Sequence, residues 1–158
     1  MKGNPKIIKA LNEVLASEIT AISQYIVHSE MCENWGYHRL HERIHKESID
    51  EMKHAEKLIE RILYLEGVPV VSKLLAMRIG RKVPEMLRND LALENEAVER
   101  LNTFIPAARQ IKDAGSAELF EEILEDEEGH VDFIESQLDQ IEQMGLENYL
   151  AQQVGEQG

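Results

Sequence analysis

Residues 48–56 read SIDEMKHAE, and residues 125–135 read EDEEGHVDFIE. Each places a glutamate and a histidine three positions apart, Glu51 with His54 and Glu127 with His130, inside a run of helical periodicity. On a helix that spacing puts both side chains on one face, close enough to share an ion. A wet face would make the pattern ordinary. A buried face would make it costly, because carboxylates lose hydration where aliphatic groups should pack.

Steps of seven stay near one helical face and decide between the two. The second helical segment gives Ile44, Glu51, Leu58 and the fourth gives Phe120, Glu127, Ile134. The same stepping gives Leu11, Glu18, Tyr25 in the first segment and Leu87, Glu94, Leu101 in the third. Each of four helices thus carries one glutamate in its apolar stripe. Glu18 precedes Glu51 by 33 residues, and Glu94 precedes Glu127 by 33 residues. Two helical hairpins related by a pseudo-repeat would bring the four glutamates to one level. Four carboxylates in a low-dielectric core need protons or cations. Two divalent ions would neutralise the four negative charges, and His54 and His130 would give each ion one nitrogen. Oxygen and imidazole ligands suit iron or manganese.

The segments span about Pro5 to Glu33, Tyr37 to Glu66, Pro84 to Ala114, and Ser116 to Gly145. Asn34, Trp35 and Gly36 break the first; Gly67 and Pro69 stop the second; Gly115 ends the third, which Pro106 should kink or loosen. A short helix follows in LENYLAQQV, about 147–155, and the final GEQG is expected to fray. Short links make the first and second helices, and the third and fourth, antiparallel neighbours. A helix of about 28 residues is roughly 42 Å long. The connection over 67–83 reaches about 56 Å if extended, enough to return along the bundle. The expected fold is all-α: residues 1–158 as one four-helix bundle (about 5–145) with one long crossover and a short C-terminal fifth helix.

Composition narrows the function. The 158 residues have 43 % hydrophobic and 5 % aromatic content, so aliphatic side chains build the core. A net charge of −13 argues against nucleic acid and anionic membrane as partners. The single cysteine, Cys32, excludes a disulfide framework or a cysteine-based metal site within one chain and fits a reducing compartment. With no signal core and no bilayer-length apolar run, the expected location is the cytoplasm.

Over nearly its whole length the sequence resembles bacterioferritins. The matching stretches are MKG at the start, LASEITAISQY around Glu18, ESIDEMKHAEKLIERILYLEG, LENEAV around Glu94, EDEEGHVDFIE and GLENYL. The resemblance implies a ferritin-like fold in which Glu18, Glu51, His54, Glu94, Glu127 and His130 bind two iron ions per subunit. Glu51 and Glu127 would bridge them. It implies ferroxidase activity with O2 or H2O2 as oxidant, and a homo-oligomeric shell of twenty-four subunits built of two-fold dimers and storing ferric mineral. Met52, about 100° around the helix from Glu51, would be an axial ligand of a b-type haem shared between two subunits. A bacterioferritin-associated ferredoxin would donate electrons for iron release. Lys46 stands where some members place a histidine beside the acid matching Asp50, which argues against an auxiliary inner-surface iron site. Ala151, followed by Gln152, departs from the family at the four-fold channel.

Other positions carry weaker expectations. Tyr25 would hydrogen-bond near the site or simply pack, and Asp90 would lie on a solvated face or orient a ligand. Trp35 would anchor a turn, and Gly129 would let another element approach His130. Met52 would share an outer edge with Ile49 and Ile59. His28, His38, His41 and His45 lack a stripe glutamate three residues before them and read as surface groups. Two competing functions remain: a manganese catalase or rubrerythrin-type peroxidase, which would evolve oxygen or consume peroxide without mineral, and a haem-binding shell subunit with an idle dinuclear site. The lack of any Cys-x-x-Cys pair removes rubrerythrin's rubredoxin module.

Overall fold

In a computed structural model that describes residues 1–155, five helices follow one another: α1 (Pro5–Asn34), α2 (His38–Tyr64), α3 (Val83–Gln110), α4 (Ala114–Met144) and α5 (Leu146–Gln153). α1 packs mainly on α2 and α3 mainly on α4, with α1 also meeting α3 and α2 meeting α4. The expected frayed end lies, beyond Gly155, outside the described residues. Among those residues no helix is long and apolar enough to cross a membrane.

The ends of three helices share one device. After α1, Gly36 N–H donates to Glu33 O and Tyr37 N–H to Cys32 O; after α2, Glu66 and Gly67 donate to Leu63 and Ile62; after α3, Lys112 and Asp113 donate to Arg109 and Ala108. This is the Schellman pattern, which needs a left-handed residue just past the helix. Gly36 (φ 86°) supplies it without strain, whereas Glu66 (φ 61°) and Lys112 (φ 63°) adopt it as non-glycines. That corrects two expected boundaries. α2 stops at Tyr64 because Glu66, not Gly67, takes the left-handed turn. α3 stops at Gln110, and Gly115 lies inside α4 rather than between helices. The cap of α4 is Asp113, whose carboxylate accepts from Ser116 N–H at 3.0 Å and Ser116 Oγ at 2.8 Å. An added Cβ on Gly115 would sit 2.6 Å from the Arg61 guanidinium, which reaches across to Asp113 at 2.7 Å. α3 runs unbroken through Pro106, which is exposed.

A row of polar side chains on α1 hangs the crossover. Asn12 Nδ2 donates to Val68 O at 3.1 Å and its Oδ1 accepts from Val70 N–H at 2.8 Å. Leu75 N–H donates to Thr20 Oγ1, Arg78 N–H to Gln24 Oε1 and Gly80 N–H to His28 Nε2, at 2.9, 3.0 and 2.9 Å. These bonds fix a largely exposed, irregular segment to α1 and give the buried N–H of Gly80 its partner.

The hydrophobic core is split. One cluster gathers Leu11, Leu15, Leu58, Ile62, Leu101 and Phe120 with their neighbours. The other gathers Tyr25, Ile44, Leu87, Leu93, Ile134 and Tyr149. Glu18, Glu51, Glu94 and Glu127 fall between them along every helix. All twelve residues of the seven-step stripes are 2 % exposed or less, so the face is buried.

Candidate metal centre

Four helices deliver six side chains to the level where the core divides. Glu18 comes from α1, Glu51 and His54 from α2, Glu94 from α3, and Glu127 and His130 from α4; none is more than 5 % exposed. They form two overlapping groups, each compact enough for one ion: Glu18, Glu51, His54 and Glu127, and Glu51, Glu94, Glu127 and His130. Glu51 and Glu127 belong to both.

The contacts explain the overlap. His54 Nδ1 lies 3.2 Å from Glu127 Oε1, 3.5 Å from Glu18 Oε2 and 3.7 Å from Glu51 Oε2. His130 Nδ1 lies 3.0 Å from Glu51 Oε1, 3.4 Å from Glu94 Oε1 and 3.8 Å from Glu127 Oε2. Glu51 and Glu127 therefore each turn one oxygen toward each imidazole. Several of these atoms are buried without a hydrogen-bond partner: Glu18 Oε2, both Glu51 oxygens, His54 Nδ1, Glu94 Oε2 and Glu127 Oε1. Leaving such groups unpaired costs about 1–3 kcal/mol each, more when charged. Convergent carboxylate oxygens and imidazole nitrogens are donor types that a divalent cation accepts, and each of the two groups could hold one.

The outer nitrogens are held as well. His54 Nε2 lies 2.7 Å from Asp126 Oδ2, and His130 Nε2 lies 3.5 Å from Asp50 Oδ2. A carboxylate on the far nitrogen fixes the tautomer and turns the other lone pair inward. The support runs crosswise, from α4 to the histidine of α2 and from α2 to the histidine of α4. Asp126 was missed in the sequence, yet its signal is there: both motifs read Asp-Glu-x-x-His, at 50–54 and 126–130. Glu47 was missed too. It is buried one turn before Glu51, and burial, the largest influence, lifts its carboxyl to about 7.

Without ions the cluster stores protons. Burial pushes Glu51 upward, but the contacts of His130 and His54 outweigh it and leave the carboxyl near 2. Glu127 is held well above the usual range by burial and by the charges of Glu51 and Glu94. For His130 burial works downward, and Glu51 and Glu94 overcome it to raise the imidazole to about 11. His54 is raised in the same way, by Glu51 and Asp126 against burial.

The remaining expectations divide. Tyr25 is fully buried and its hydroxyl donates to Glu94 Oε1, so it both packs and bonds at the site; burial, then Glu94, keeps the phenol protonated. Met52 points away from the cluster and is 46 % exposed, with Ile49 beside it at 36 %. Ile59 instead packs against the first core cluster. His28 is not a surface group. It is fully buried, with Nδ1 2.8 Å from Asp90 Oδ1 and Nε2 accepting from Gly80. Asp90 is buried too, accepting from Gln24 Nε2 at 2.8 Å, and orients the crossover network rather than a cluster residue. His38 and His41 are half-buried around Glu33, and His45 is exposed. Gly129 is exposed, and an added Cβ would meet nothing within 4 Å, so close packing does not explain it. Trp35 keeps 39 % exposure while its ring edges onto Tyr37. Cys32 is a buried free thiol that burial pushes up to about 12.

Comparison with known proteins places the chain in a family. The family model of the ferritin-like domain matches residues 8–144. The sequence is 46 % identical over 152 residues to the bacterioferritin of Mycolicibacterium paratuberculosis, covering 96 % of each chain. It is 46 % identical to that of Mycobacterium leprae over the same length and shares. Against the bacterioferritin of Streptomyces coelicolor the identity is 44 % over 151 residues, 96 % of this chain and 90 % of that one.

Proposed function

The chain belongs to the bacterioferritin family of ferritin-like proteins, and from that premise we propose that it stores iron after oxidising it at the Glu/His cluster. Ferrous iron is the substrate. Glu18 and Glu94 act as terminal ligands, Glu51 and Glu127 as bridges, and His54 and His130 as one nitrogen donor per ion. The observation that carries this reading is the sharing of Glu51 and Glu127 between two four-residue groups, several of whose inward atoms are buried without a hydrogen bond.

The chemistry follows from charge. Two ferrous ions balance four carboxylates. Each gives up one electron, and dioxygen takes two electrons and two protons to become hydrogen peroxide; peroxide as oxidant takes two electrons and two protons to become water. The protons that His54, His130 and Glu127 release on ion binding leave imidazole and carboxylate lone pairs free. Two ferric ions then exceed the charge of the four carboxylates by two, which favours departure of the product toward a storage cavity. Tyr25 holds one Glu94 oxygen and leaves the other for the ion.

The family resemblance extends the proposal to a twenty-four-subunit cytoplasmic shell and to a b-type haem between Met52 residues of two subunits. The exposed thioether of Met52, away from the cluster, is compatible with such a group. When bound, the haem would supply one-electron reduction of stored ferric iron, with a ferredoxin as donor. Two variants test the central assignment. In Glu51→Ala and His130→Ala shells, the fast phase of ferrous oxidation in stopped flow is expected to disappear while assembly persists. Undiminished fast oxidation in both variants would refute the site. Met52→Leu is expected to lose haem absorbance and keep the fast phase.

A further inference from the structure

A second site lies on the outer side of α1, under the crossover. Asn12 pins Val68 and Val70 to α1, and Thr20 pins Leu75, five residues after Val70. Between these pins the chain arches over α1 and α3, enclosing a cavity of about 440 Å3. Its walls combine three cations, Lys9, Lys73 and Arg100, with Ala16, Val70 and Leu75. Glu13 is the one acid on the wall, so the lining carries an excess of two positive charges on a chain of net −13.

The cations have no evident structural work. Arg61 and Arg78 pair with Asp113 and Glu96 at 2.7 and 2.6 Å. Lys9, Lys73 and Arg100 make no ion pair among the described residues, and Arg100 Nη1 is buried without any partner. A buried guanidinium nitrogen without an acceptor is expensive, and a bound anion would supply one. Arginine offers a planar fork that suits carboxylate and phosphate oxygens. The apolar wall of Ala16, Val70 and Leu75 suits a ligand with a hydrocarbon body rather than a bare inorganic ion.

We propose that the cavity between α1, the crossover and α3 binds a small organic anion, its carboxylate or phosphate head on Arg100 with Lys9 and Lys73, its apolar body against Ala16, Val70 and Leu75. The site is remote in chemistry from the Glu/His cluster and independent of iron. Iron-free assembled shells are titrated calorimetrically at low salt with phenyl phosphate, benzoate, inorganic phosphate and benzyl alcohol. One or both aromatic anions are expected to bind with Kd below about 1 mM, and the alcohol not to bind. The better probe identifies the head group. Arg100→Gln should weaken binding at least about tenfold, the loss of one charge-assisted contact. Lys73→Gln, on the exposed arch where folding is least at risk, should weaken it several-fold, and added salt should weaken it in the parent. No aromatic anion bound at about 10 mM, or unchanged binding in both variants, would overturn the site. Inorganic phosphate binding as tightly as the aromatic probes would overturn the organic-anion class.

Discussion

Removing the carboxylate of Asp126 should weaken one of the two proposed ion positions and spare the other. Asp126 Oδ2 lies 2.7 Å from His54 Nε2, a full charge-assisted hydrogen bond, whereas Asp50 Oδ2 stands 3.5 Å from His130 Nε2. Losing such an outer partner typically costs 10–100-fold in metal affinity, about 1.4–2.7 kcal/mol. Asp126 is more than half exposed, so water partly replaces it in the Asp126→Ala variant and places the loss near the lower figure. The expected result is about a tenfold weaker ion in the group of Glu18, Glu51, His54 and Glu127. Asp50→Ala, acting through the longer contact, should cost less than about threefold at the other position. Asp126→Asn keeps an acceptor for Nε2–H and should recover most of the affinity. Anaerobic titration of iron-free shells with cobalt(II), followed by its ligand-field absorbance, reads the two positions separately. Equal weakening of both positions by Asp126→Ala, no weakening at all, or a larger loss from Asp50→Ala would refute the crosswise support.

Three further outcomes follow from the same geometry. Because His54, His130 and Glu127 are all held above their ordinary values, protons compete with divalent ions, so apparent affinity should rise with pH; calorimetry in buffers of different ionisation enthalpy should find about two to three protons released per ion pair at pH 7, and affinity flat between about pH 6 and 7.5 would contradict this. Gly36→Ala meets no atom within 4 Å, so its cost is backbone strain alone at φ 86°, roughly 1–2 kcal/mol less the gain from a stiffer unfolded chain; an unchanged thermal midpoint would refute the Schellman reading of that turn. Asp113→Ala removes the α4 cap and the Arg61 contact and should destabilise by about 1 kcal/mol. Burial raises the Asp113 carboxyl, but Ser116 and Arg61 outweigh it and hold it below the usual range. Its contribution is therefore present above the unfolded value of about 3.9 and lost as pH falls through the folded one, so the difference in thermal stability between parent and variant should shrink below about pH 4.

The seven-step stripes were legible because burial along a helix repeats with a period that sequence displays directly. The convergence of their glutamates needed only equal intervals in two hairpins. Helix ends were less legible. A left-handed glycine is visible as a glycine, as at Gly36, but Glu66 and Lys112 take the same conformation with nothing in their side chains to announce it. His28 and Asp90 were misread for a related reason. Neither belongs to a local motif, and their burial depends on the crossover, whose Gly80 N–H arrives from fifty-two residues away. Asp126 sat in plain sight in a repeated Asp-Glu-x-x-His. It was passed over because an acid next to a ligand points to another face of its own helix, and its usefulness to His54 appears only when α2 and α4 are placed together.

That crosswise placement bears on why the fold tolerates a polar layer at its centre. The glutamates divide what would be one hydrophobic core into two clusters, and burial strips their oxygens of water. Two hairpins related by a pseudo-repeat give every charged ligand a counterpart at the same level, so the charge is distributed rather than concentrated on one helix. Asp50 and Asp126 then tie each histidine to the opposite hairpin. Any shift of α2 along α4 would loosen both histidine supports and both shared glutamates together. A site preorganised in this way resists collapse onto its own unpaired oxygens. The two apolar clusters above and below it, being separately packed, hold the helices at the spacing that keeps the six side chains facing one another.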